Sequence, residues 1–135
     1  MAIAGSILAL SMIAQSITGQ LMGPPEAHSH FASRQGDLIL LAQHLGTLHR
    51  LAQVCPQTRE GDLYRDRMKQ VIEGESPPRF TREAMIGAFN RGFRSASAEH
   101  YSCSRRAQQR LRNESFDALN VTERLYAPLR VRVDD

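Results

Sequence analysis

Leu38, Leu41, Leu45, Leu48, Ala52 and Cys55 recur at alternating steps of three and four residues, which lines them along one stripe of an α-helix. A half-buried strand would need apolar residues at every second position, so this spacing commits the segment to a helix with one buried face. Pro56 follows at once. A proline there lacks an amide donor and clashes with the preceding turn, so the helix is expected to end at Cys55. The last core-facing position of the first helix is therefore a cysteine.

Helical spacing continues down the chain. A second helix is expected after Gly61, with Tyr64, Met68, Val71 and Ile72 on one face and the Gly/Pro-rich run 74–78 ending it. A third is expected near Thr81, which has the chemistry of an N-cap, with Met85, Ile86, Phe89, Gly92, Phe93 and Ala96 as its apolar positions. Ser104 can cap a fourth helix whose stripe is Ala107, Leu111, Ser115, Ala118, Thr122 and Leu125, flanked by Phe116 and Leu119. Pro128 is expected to close it, leaving 128–135 as a loose tail in which the valines at 131 and 133 are too few for a strand. The fold class is all-α: a compact bundle of about four helices, three long and one short, over residues 37–127.

Ahead of this domain, residues 2–14 (AIAGSILALSMIA) form an uncharged run of small and apolar side chains. It is shorter than the ~20 residues of a spanning helix and suits the apolar region of a signal peptide. Residues 1–22 therefore read as a signal peptide or an N-terminal membrane anchor. The first basic residue is Arg34, so the usual positive flank is missing, which leaves open both cleavage and a start further upstream. Residues 23–36 mix Gly, Pro, Ser and His without periodicity and read as a linker.

The chain has two cysteines, Cys55 and Cys103, and no CxxC pair. One ends a helix on its core stripe and the other falls in the turn before the fourth helix. In an oxidising compartment that position favours a structural disulfide. It would close a loop of 48 positions, a constraint that stabilises by about 4 kcal/mol on the chain-entropy model.

Net charge is only +3, but it is uneven: between 79 and 112 there are eight arginines against Glu83 and Glu99. Such a segment suits an anionic partner, or is simply a solvated helical face. Within it, the run Phe89-Asn90-Arg91-Gly92-Phe93-Arg94 reads as a helix turning its phenylalanines inward and Arg91 and Arg94 outward. Gly92 costs ~1 kcal/mol in a helix interior, and close approach of another helix backbone is the simplest reason for it. Arg91 and Arg94 either grip a carboxylate or phosphate or pair with the chain's own Asp62 and Asp66.

This run, with Leu48-His49-Arg50-Leu51 and Cys55, Tyr64-Arg65, and Cys103-Ser104, resembles an uncharacterised family of small exported alphaproteobacterial proteins of unknown function. The resemblance covers roughly 38–125. It implies a periplasmic, helical, disulfide-bonded protein and no activity.

Few residues of the sequence are spaced for reactive chemistry. His28 and His30 have no third ligand nearby, and His44 and His49 lie five apart, on different faces of one helix, so neither a metal nor a cofactor is expected. Glu73 and Glu75 flank a Gly/Pro loop as solvated carboxylates. Two glycosylation-type triplets, at Asn113 and Asn120, fall inside the fourth helix. The reading that results is a non-catalytic periplasmic envelope protein. It would use Arg91, Arg94, Arg105, Arg106 and Arg110 to hold an anionic envelope component or protein partner, with the N-terminal segment as a possible tether. One alternative is a small cell-wall-active enzyme using Glu99 or Glu83. A nucleic-acid-binding helical protein is the other, disfavoured by the leader and the lack of a helix-turn-helix pattern.

Overall fold

The computed structural model describes residues 25–55 and 62–130, and these form four helices: α1 (Pro25–Val54), α2 (Leu63–Glu75), α3 (Arg79–Glu99) and α4 (Arg105–Arg130). The expected leader at 1–22, residues 23 and 24 of the linker, the proline stop at 56 and the end of the tail at 131–135 lie outside the described residues. Among the described residues no helix is long and apolar enough to cross a membrane, and there is no strand.

The α1 stripe packs as its spacing requires. Leu38, Leu41, Leu45 and Leu48 are buried in one cluster with Met68 of α2, Met85 and Ala88 of α3, and Ala118, Val121 and Leu125 of α4. α1 is thus the central helix, against which the other three pack. A smaller cluster joins Leu51 and Cys55 to Ala96 and Ala107.

Two glycines explain how α1 and α3 come so close. A Cβ on Gly92 would sit 2.2 Å from the carbonyl oxygen of Gln43, and a Cβ on Gly46 would sit 1.9 Å from that of Phe89. Both distances are far inside van der Waals contact, so each helix presents its backbone to the other. The close approach expected at Gly92 is therefore present, and Gly46 is its counterpart on α1.

The structure departs from the sequence expectations at several boundaries. Residues 25–36, expected as linker, are the opening turns of α1. The side chains from Glu26 through Ser33 are exposed, so no packing periodicity marks them. These residues prolong the packed helix by its N-terminal turns, with Glu26 in the first turn favouring the positive end of the dipole and Ser29 Oγ donating to the Glu26 carbonyl at 2.8 Å. Arg34 then anchors the segment, donating to Glu75 of α2 at 2.6 Å and to the Leu125 carbonyl of α4 at 2.7 Å.

Thr81 is not the cap of α3. Pro78 occupies that position with extended ψ, its carbonyl accepts from the Arg82 amide at 2.9 Å, and Thr81 is buried in the first turn. The buried line of α3 is Thr81, Met85, Ala88, Gly92 and Ala96, while Phe89 and Phe93 lie half-buried beside it and Ile86 is exposed. On α4 the buried line is Ala107, Glu114, Ala118, Val121 and Leu125, so Ser115 and Thr122 belong one residue off it. Pro128 does not stop α4, which continues to Arg130: proline removes its own donor but not those of the two residues after it. Ser104 does cap α4, its Oγ accepting from the Ala107 amide at 3.0 Å.

Candidate functional site

Cys55 and Cys103 are joined by a disulfide, with their Cα atoms 4.8 Å apart. The bridge fastens the C-terminal end of α1 to the turn between α3 and α4. Two residues bracket that turn. His100 closes α3, its amide donating to the Ala96 carbonyl at 2.9 Å, and Ser104 opens α4. The turn is held covalently at Cys103 and by hydrogen bonds at both ends.

Beside it lies a groove of about 550 Å³ between the last residues of α3 and the first turns of α4. Glu99 and His100 form one wall, and Arg105, Arg106 and Arg110 contribute from α4. The helical period explains the trio. Arg106 and Arg110 are one turn apart on one face, with Arg105 adjacent, and Ala107 between them faces the core.

The three arginines are not equivalent. Arg110 donates to Glu114 at 3.0 Å and lies 3.6 Å from Glu99, so its position is fixed from two sides. Glu114 is buried on α4 and meets His44 of α1, whose Nδ1 is 2.6 Å from its Oε1. Burial pushes the Glu114 carboxyl up. The hydrogen bond and charge of His44, and then those of Arg110, outweigh it and hold the group below its usual value of 4.5. A carboxylate can therefore occupy a core position of α4. Arg105 and Arg106, by contrast, are exposed and have no ion pair among the described residues.

His100 is the unusual member. Its side chain is 3% exposed, and its Nε2 has no hydrogen-bond partner among the described residues; the closest carboxylate oxygen, on Glu99, is 3.8 Å away. A buried ring nitrogen left in that state costs about 1–3 kcal/mol, which a ligand acceptor would recover.

Of the five arginines singled out from sequence, the groove brings together Arg105, Arg106 and Arg110. Arg91 and Arg94 do not line it. They are exposed on α3 one to two turns before Glu99, without ion pairs among the described residues. Asp62 and Asp66, the alternative partners weighed for them, pair instead with Arg65 and Lys69 within α2. Glu83 pairs with Arg79 on α3, away from the groove. His44 and His49 do face different neighbours: His49 stacks against Phe89 and Phe93 of α3, with ring centroids 5.8 and 5.6 Å away.

Sequence reasoning missed His100 and Glu114. His100 carries no motif. Glu114 was legible in principle, since 107, 111, 114, 118, 121 and 125 keep helical spacing, but a carboxylate on such a line makes the neighbouring Ser115 look the better fit.

No group of three or more metal-ligating side chains occurs among the described residues. A second cleft, between α1, α2 and α4, is lined largely by Leu41, Leu45, Val71 and Tyr126 and has only Arg67 as a charged group.

In comparison with known proteins, the model of the family described as protein of unknown function (DUF2385) fits residues 34–128. No curated protein and no solved structure matches the chain.

Proposed function

The chain belongs to the family of proteins of unknown function DUF2385, and from that premise we propose that it is a non-catalytic recognition protein of the bacterial periplasm. Its task on this reading is to hold an anionic envelope component, or an acidic patch on an envelope protein, at the stapled end of the bundle. One observation carries the proposal: Arg105 and Arg106 are exposed without ion pairs beside a groove whose third arginine is held by Glu99 and Glu114. Guanidinium groups bind carboxylates and phosphates through paired N–H donors, and a preset one loses less freedom on binding.

The exported location is supported by two features. An uncharged apolar segment precedes the domain, and a disulfide is the expected fate of paired cysteines in an oxidising compartment. Retained as an anchor, that segment would tether the domain at the membrane surface; cleaved, it would leave the domain free in the periplasm.

The test is crosslinked affinity capture from the native host's envelope, comparing the wild type with the Arg105→Gln/Arg106→Gln double variant. We expect a specific envelope partner that the double variant captures several-fold less well. An identical partner profile from both proteins would refute the reading, as would a reporter fusion retained in the cytoplasm with free thiols.

A further inference from the structure

Anions differ in shape and charge, and the charges and donors around the groove bear on which of them would fit it. Arg105 and Arg106 have no ion pair among the described residues, while Arg110 lies between Glu99 and Glu114, the latter shared with His44. A single carboxylate would neutralise the charge of one of the two arginines without an ion pair and offer two oxygens. A phosphomonoester carries a charge of about −1.5 to −2 at neutral pH and presents three strong acceptor oxygens. We infer that the groove between the end of α3 and the start of α4 is a phosphomonoester site, with Arg105 and Arg106 as its charged arms and His100 as a buried donor. The inference rests on the reading that this end of the bundle recognises anions, and it names the anion.

His100 is what separates this groove from an ordinary basic surface. His100 is among the residues lining the groove, its side chain is almost wholly buried, and its Nε2, covered from solvent 3.8 Å from the Glu99 carboxylate, has no hydrogen-bond partner among the described residues. Carrying a proton on Nε2, and with a small shift of the ring or of the half-exposed Glu99 side chain to uncover it, the ring donates to an acceptor in the groove and completes its own hydrogen bonding. Arg105 and Arg106 open a 26-residue helix, so the positive end of the α4 dipole favours a dianion in the same place. Ser104 already satisfies the Ala107 amide, which leaves the arginines and His100 as the principal donors.

The other wall suits what the phosphate is attached to. Gln109 and Asn113 line it and are hydrogen-bonded to each other at 3.1 Å, an uncharged polar surface. It would meet the hydroxyls of a sugar or glycerol better than an acyl chain. The phosphate can belong to a soluble phosphorylated metabolite or to a lipid with a terminal phosphate, because the groove is open to solvent at its rim, where Arg105 and Arg106 are exposed.

The oxidised full chain is titrated by calorimetry with inorganic phosphate, glucose 6-phosphate and, as a dicarboxylate control of equal charge, succinate. Sedimentation with phosphatidylcholine vesicles doped with phosphatidic acid, against vesicles doped with phosphatidylglycerol, separates a lipid source from a soluble one. We expect a phosphomonoester to bind at least about tenfold more tightly than succinate, and Arg105→Gln/Arg106→Gln to weaken it by about tenfold or more. Arg91→Gln/Arg94→Gln should leave it unchanged. The His100 ring resonances should shift on phosphate addition in the wild type and not in the Arg105→Gln/Arg106→Gln protein, a readout that needs no substitution at the buried position.

Equal binding of succinate would overturn the inference, as would equal loss in the Arg91/Arg94 variant or His100 resonances that ignore phosphate. Envelope capture that depends on Arg105 and Arg106 without any phosphomonoester binding would leave the broader recognition reading standing and sink this one. Phosphomonoester binding that depends on Arg105 and Arg106, with no envelope partner captured, would uphold this inference and anion recognition and overturn only the assignment of an envelope partner.

Discussion

Replacing Gly92 by alanine adds one methyl group where two helix backbones meet. Its carbon would lie 2.2 Å from the Gln43 carbonyl oxygen, 2.9 Å from Thr47 Oγ1 and 3.0 Å from the Thr47 amide nitrogen. Thr47 Oγ1 can rotate away, but the carbonyl and amide belong to α1 itself. Reaching ordinary contact requires α1 and α3 to part by about 1 Å, and close-packed interiors yield poorly to such a shift. Overpacking of this kind costs about 3 kcal/mol at the upper end of its usual range. Alanine returns about 1 kcal/mol through its better helix propensity. The net expectation is a loss of about 2 kcal/mol, or roughly 8–16 °C in Tm for a domain of this size. Gly46→Ala, whose three nearest atoms are all backbone of Phe89, should lose at least as much. Gly36 supplies the control: it also lies within α1, a Cβ there meets nothing within 4 Å, and Gly36→Ala should gain about 0.5–1 kcal/mol. The assay is guanidinium unfolding of the oxidised proteins followed by far-ultraviolet circular dichroism. A Gly92→Ala protein as stable as the wild type, or a Gly36→Ala protein that falls with it, would refute the close-crossing argument.

The remaining expectations concern the staple, the buried carboxylate and a strained cap. Cys55→Ala/Cys103→Ala should lower stability by about 4 kcal/mol, read from denaturant midpoints against the oxidised wild type. Because the Glu114 carboxyl is held below its usual 4.5, its contribution is fully present above that pH and is lost as the pH falls through the lowered value. Stability-against-pH curves should therefore flatten on the acid side in Glu114→Gln, which near neutrality should be about 1–3 kcal/mol less stable. Ser76 ends α2 with φ of +43°, ahead of Pro77. Ser76→Gly should gain about 0.5–1 kcal/mol in the same unfolding assay, despite losing the hydroxyl's bond to the Glu73 carbonyl.

Elements that bury a leucine stripe were legible, because burial imposes a period on sequence. α1 from Leu38 to Cys55 shows this, as does the approach at Gly92, where a residue unfavourable to a helix needed a packing reason. The opening of α1 was not legible: residues 26–33 bury nothing, so no period separates them from a linker. The α4 line was displaced at Glu114 because its fit depends on His44, 70 positions away, and no local rule reports such a partner. The groove was half legible. Its arginines stood out as a charge excess, whereas the division between a clustered trio and the separate Arg91 and Arg94 follows from where α3 ends. His100 emerges only from its burial.

With α1 at the centre, the first of the four helices to be made needs the last of them, α4, to complete its packing. Arg34 meets the Leu125 carbonyl 91 positions on, Asp37 meets Arg124 87 positions on, and His44 meets Glu114 70 positions on. At synthesis rates of about 5–20 residues per second, the Leu38–Leu48 stripe waits on the order of 5–20 s before α4 can cover it. α2, α3 and α4 pack chiefly on α1, so no neighbouring pair of them makes a bundle in its absence. During that interval α2 and α3 can already lie against α1, but the part of its stripe that Ala118, Val121 and Leu125 cover stays open, and Cys55 stays unpaired until Cys103 is made.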